Sequence, residues 1–103
     1  MKKILLVDDE QEFLEICKMV LIQNNFEVTL AADGERAKKL LSNENYDLVI
    51  SDFRMPKVDG LQLFNWVKAN KTIPFVLMTG YSDISSTTEA NDMGIDGYLS
   101  KPF

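Results

Sequence analysis

Four short apolar runs each stop against a residue that can handle a charged ligand. ILLV at 4–7 precedes Asp8 and Asp9, DLVIS at 47–51 precedes Asp52, FVLM at 75–78 precedes Thr79, and YLS at 98–100 precedes Lys101. Between the runs, apolar residues recur at spacings of three and four, the mark of helices with one buried face. Strands alternating with helices at this interval form βαβ units with right-handed crossovers, hence a parallel sheet covered on both faces. In such a sheet the strand ends converge at one edge, and open α/β folds place their sites there.

The spacing predicts strands at 3–7, 26–30, 46–51 and 73–78, with a further strand before Lys101. Helices are expected at 11–24, at about 34–43 and from about 61 to Asn70. In the first helix Phe13, Ile16, Cys17, Val20 and Leu21 form an apolar stripe, in the second Ala37, Leu40 and Leu41, in the third Leu61, Phe64 and Val67. Residues 83–93, rich in Ser, Thr and Asn, predict only a short, weak helix. The lone Cys17 reads as a core thiol, since one cysteine cannot form an intrachain disulfide or a CxxC site.

With 103 residues, 46% hydrophobic and 26% charged, the chain fits one domain, 1–103, able to hold a core without metal or disulfide staples. Its apolar runs are too short to span a bilayer or to serve as a signal peptide, so a cytoplasmic chain is expected. Eleven Lys and Arg against sixteen Asp and Glu give a formal charge of −5, which opposes binding to nucleic acid and to anionic membrane. The absence of histidine removes Ser-His-Asp triads, His-ligated zinc and the usual general base near pH 7. Any chemistry must run on carboxylates, hydroxyls and amines.

Asp8 and Asp9 crowd one strand end and would repel each other without a cation between them. An oxygen-only ligand set with positions left for water and phosphate suits Mg²⁺; the competing reading is that they cap the helix that follows. Asp52, before the turn-forming FRMPKVDG, is a candidate phosphoryl acceptor or, alternatively, a cap. Thr79 could donate to a phosphoryl oxygen or merely end its strand. Lys101, before Pro102, could neutralise a phosphate or stand as a solvated charge.

Taken jointly, the DD pair after ILLV, DFRMPKVDG from Asp52, Thr79-Gly80 and GIDGYLSKPF resemble the receiver domain of two-component response regulators over the whole chain. The resemblance implies a flavodoxin-like (CheY-like) α/β fold, a doubly wound five-stranded parallel sheet of order 2-1-3-4-5. It implies that Asp52 accepts a phosphoryl group from the phosphohistidine of a sensor histidine kinase or phosphotransfer protein. Asp9, Asp52 and the backbone carbonyl of Arg54 would ligate Mg²⁺, Asp8 would act through water, and Lys101 would pair with the phosphoryl group. Thr79 would then turn toward the phosphate and Tyr98 rotate inward, presenting a changed surface to a downstream effector; Pro102 would make the turn after Lys101. Arg54 and Tyr81 would flank the phosphoryl group and slow its loss to water.

Receivers resembling this chain continue for about one more helix, so a C-terminally short domain lacking the fifth helix is expected, with self-association as a homodimer through the uncovered face. Such a chain promotes only its own phosphorylation and dephosphorylation and is not an enzyme acting on other substrates. The alternative is a receiver-like scaffold that is not phosphorylated. An aspartate-nucleophile phosphohydrolase would want an acid–base Asp where Arg54 stands. A flavin carrier would want hydroxyls and amides where DDE would repel a phosphate.

Overall fold

A computed structural model describes residues 2–55, 57–79 and 95–100, apart from the side chains of Thr79, Tyr98 and Ser100. The elements run β1 (Lys3–Val7), α1 (Gln11–Gln23), β2 (Glu27–Ala31), α2 (Gly34–Asn43), β3 (Leu48–Asp52), α3 (Gly60–Asn70), β4 (Phe75–Thr79) and β5 (Gly97–Ser100). The helix expected over 83–93 lies outside the described residues. All strand pairs are parallel and the sheet order is β2-β1-β3-β4-β5, as the resemblance implied.

The period of two along a strand divides the apolar runs between the two faces of the sheet. Leu5, Val7, Val49, Phe75 and Leu77 face a core closed by Ala37 and Leu41 of α2 and Leu63, Phe64 and Val67 of α3. Ile4, Leu6, Ile50 and Met78 face the other way, against Leu14 of α1. Each fully buried Leu, Val or Phe contributes about 1.5–3 kcal/mol, and the α2/α3 face carries most of them.

Two expectations need correction. The α1 stripe is not all core: Leu14 is buried, but Ile16 is 62% and Val20 53% exposed. The helix presents an apolar arc wider than the strands beneath it can cover, and the surplus walls an open groove of about 400 Å³ floored by Leu6, Ile50, Met78 and Leu99. Cys17 also lines this groove and is half-buried rather than sealed inside. Secondly, β2, β3 and β4 each end one residue later than their apolar runs. The ladder continues through the next residue, pairing Ala31 with Val7, Asp52 with Met78 and Thr79 with Ser100.

The α2/α3 face is anchored by local chemistry. Asp33 caps α2 by accepting from the Arg36 N–H at 2.7 Å. Asp59 and Gln62 form a reciprocal capping box at the start of α3, which satisfies two backbone donors otherwise left without helical partners. At the far edge of the sheet the Lys3 ammonium lies 3.0 Å from Glu44 Oε1, and the Tyr46 hydroxyl donates to Glu44 Oε2 at 3.0 Å.

Gly60, the first residue of α3, is set by close approach: a Cβ there would stand 2.4 Å from the Asp52 carbonyl oxygen and 2.7 Å from Leu77 Cδ1. Alanine favours helix by about 1 kcal/mol over glycine, but overpacking of this kind costs about 1–3 kcal/mol, and here a backbone oxygen must move. Gly60→Ala is therefore expected to lower the urea midpoint, with a net loss of about 1–2 kcal/mol; an unchanged or raised midpoint would contradict this packing.

Candidate functional site

β1 and β3 are neighbours in the sheet, so the residues that close them, Asp8 and Asp52, meet at one edge. Asp8 is fully buried and Asp52 is 7% exposed. Carboxylate oxygens of Asp8, Glu10 and Asp52 all lie within 4.8 Å of one another. Two buried like charges at this separation destabilise the ionised forms unless a cation or donors compensate.

Backbone donors hold two of these carboxylates in place. The Glu10 N–H donates to Asp8 Oδ1 at 3.0 Å, and the Phe53 N–H donates to Asp52 Oδ1 at 3.0 Å. The cap position of α1 is Glu10, and it makes no side-chain cap hydrogen bond.

Glu10 was missed from the sequence, where no periodic pattern marks it. The chain bends at Asp9, and Glu10, at the cap position of α1 with φ −92° and ψ 100°, brings its carboxylate beside those of Asp8 and Asp52, while Asp9 is exposed and is not one of the three clustered carboxylates. The Asp9 carboxyl is nevertheless pushed above its ordinary value by partial burial, and further by the charge and hydrogen bonding of Asp8.

The loop from Phe53 to Asp59 carries the rest of the site. The Gly60 N–H donates to the Phe53 carbonyl at 2.8 Å and closes it. Arg54 is exposed at its rim, Met55 and Val58 are buried beneath, and Lys57 adopts a positive φ of 68°. Thr79 ends β4 at the same edge, and Tyr98 lies in β5 opposite Leu77. Pro56, Tyr81, Lys101 and Pro102 lie outside the described residues.

The donor set fits a small hard cation. Ligands about 2.0–2.1 Å from an octahedral Mg²⁺ stand about 2.9 Å apart when adjacent and about 4.2 Å when opposite, so the three carboxylates, within 4.8 Å of one another, would draw closer around the ion. Among the described residues, no helix is long and apolar enough to cross a membrane.

Comparison with known proteins agrees with this geometry. The family model for the response regulator receiver domain matches residues 4–103. The response regulator ArlR of Staphylococcus saprophyticus is 36% identical over 104 residues, covering 100% of this chain and 47% of ArlR. The transcriptional regulatory protein SrrA of Staphylococcus aureus is 32% identical, over 98% of this chain and 42% of SrrA. The chain thus spans less than half the length of these curated relatives. Among solved structures, the response regulator TrrA of Thermotoga maritima, in complex with Mg²⁺ and BeF, superposes with a TM-score of 0.89 at 36% identity, covering 100% of this chain and 89% of TrrA. The chemotaxis protein CheY4 of Vibrio cholerae gives 0.92 at 30% identity, over 100% and 88% of the two chains.

The raised Asp9 carboxyl makes a stability prediction. It holds its proton to higher pH in the folded chain than the ordinary value of 3.8. Folding therefore gains stability as pH falls through the folded pKa toward 3.8, and loses it once Asp9 ionises. Solvent screening limits the effect at this exposed position to about 0.5 kcal/mol. Asp9→Asn should raise the Tm of the metal-free protein at pH 7 by about 2–4 °C and leave it unchanged near pH 3; an unchanged Tm at pH 7 would contradict the assignment.

Proposed function

The chain belongs to the response regulator receiver family, and from that premise we propose that Asp52 is its phosphoacceptor, taking the phosphoryl group from the phosphohistidine of a sensor histidine kinase or phosphotransfer protein. Response regulator receivers are signalling phosphoacceptors that work between kinases and effectors. The observation that carries the assignment to Asp52 is its nearly buried carboxylate beside Asp8 and Glu10 at the C-terminal edge of the sheet.

The backbone does much of the positioning. Phe53 N–H fixes one Asp52 oxygen, so the carboxylate is presented in a set direction rather than sampling rotamers, which favours in-line attack. A carboxylate oxygen then forms a bond to phosphorus as the bond to the donor's leaving nitrogen breaks. Asp8, Glu10 and Asp52, joined by Asp9 and the carbonyl of Arg54, would hold Mg²⁺, whose charge would offset that of the carboxylates and of the phosphoryl oxygens. Lys101 would pair with the incoming phosphoryl group, and Thr79 and Tyr98 would carry the change to an effector surface. Each charge-assisted hydrogen bond gained contributes roughly 1.5–3 kcal/mol, enough to rebalance two surface states that differ by a few kcal/mol.

On this reading the chain promotes only its own phosphorylation and dephosphorylation. It works in the cytoplasm, where kinases draw on ATP. A second copy is the proposed cover for the α1 groove, since Ile16, Val20 and Leu99 stand exposed around it and contiguous apolar surface of this kind marks interfaces.

Incubated with Mg²⁺ and acetyl phosphate, the wild type should gain the mass of one phosphoryl group, and Asp52→Asn should not. No gain by the wild type would overturn the phosphoacceptor reading in favour of a scaffold. Sedimentation should show reversible dimers that Val20→Glu abolishes; a monomer at every concentration would overturn the groove contact.

A further inference from the structure

Gly34 opens α2, and its approach to the β3–α3 loop is too close for any side chain. A Cβ at Gly34 would stand 2.7 Å from the Cβ, the Cγ1 and the carbonyl oxygen of Val58. Val58 is itself 8% exposed and belongs to the α2/α3 core. Two residues on, Gly60 meets the Asp52 carbonyl oxygen with the same lack of clearance, and its N–H ties back to the Phe53 carbonyl. The segment that follows the acceptor is therefore seated at two points, one against its own strand and one against a different helix.

Resting on the phosphoacceptor reading of Asp52, we propose that Gly34 is a positioning residue for phosphoryl transfer, acting through Val58 to fix the acceptor loop. Three features make the contact a register rather than ordinary packing. Asp33 pins the first turn of α2 through the Arg36 N–H, so the helix start is a firm base. Lys57, next to Val58, holds a left-handed φ of 68°, so this loop keeps its shape only while its neighbours enforce it. Finally, one of the three Val58 atoms is backbone, so displacement at Gly34 moves the loop itself and not only a side chain.

Transfer depends steeply on alignment, and misplacement by about 1 Å can cost up to a hundredfold in rate. The test compares Gly34→Ala with Leu41→Ala, which opens a cavity at the far end of the same helix in the same core. Phosphorylation by acetyl phosphate at saturating Mg²⁺ is followed by intact mass, well below each variant's Tm. Gly34→Ala should slow phosphorylation at least about fivefold, while Leu41→Ala, though less stable, should stay within about twofold of wild type. Val58→Ala, which withdraws Cγ1 from the contact, should slow it about threefold or more and serves if Gly34→Ala does not fold. Wild-type rates in Gly34→Ala or in Val58→Ala would overturn the proposal, as would an equal slowing in Leu41→Ala, which would reduce the effect to stability. Failure of the wild type itself to gain a phosphoryl group would overturn the acceptor reading and this inference with it.

Discussion

Two carboxylates forced together out of water are the constraint around which this structure is arranged. Asp8 and Asp52 are brought to adjacent strand ends by the sheet order, and almost no solvent reaches either. Like charges held this close out of water repel each other, so the arrangement costs stability that the apolar faces of the sheet must supply. The fold can bear this because the central strands are nearly all core, and because backbone N–H groups at Glu10 and Phe53 meet the carboxylates. A site poised in this way gains most when a cation and a phosphoryl group arrive together, which is the chemistry that the family premise assigns to it.

The loop after Asp52 shows how the remaining sequence serves that edge. Gly60 removes every atom that would push on the Asp52 carbonyl, Gly34 does the same for Val58, and Asp59 with Gln62 fixes where α3 begins. Each of these contacts involves backbone atoms as well as side chains, so none can be relieved by a side-chain rotation alone. The opposite face of the sheet is built more loosely, with α1 alone against it among the described residues and an apolar groove beside it. The more tightly packed face thus borders the site, and the apolar groove lies on the other face.

Much of this was legible in the sequence, because strand-end chemistry follows from periodicity. ILLV and DLVIS could be buried strands only if Asp8 and Asp52 sat at their ends, and DFRMPKVDG announced its turn through proline and glycine. The readable features are local. What escaped was set by tertiary context: Glu10 joins the carboxylate cluster across a bend at Asp9 that no periodic pattern announces, and Ile16 and Val20 were exposed because covering an arc depends on what lies opposite it. The ladder extended through Asp52 and Thr79 because neighbouring strands continue there, which no single-strand pattern reports. The seat of Val58 on Gly34 joins residues 24 positions apart and leaves no periodic trace.

The most direct test of the account is the thermal stability of the wild type and of Asp52→Asn with and without millimolar Mg²⁺. If mutual repulsion of buried carboxylates governs the site, the wild-type Tm should climb steadily with Mg²⁺ by mass action, about 2.7 kcal/mol of added stability being reached at a hundred times the dissociation constant. Asp52→Asn should start at a higher Tm without metal and gain less from it. A wild-type Tm indifferent to Mg²⁺, or an Asp52→Asn protein no more stable than wild type in its absence, would contradict the central claim.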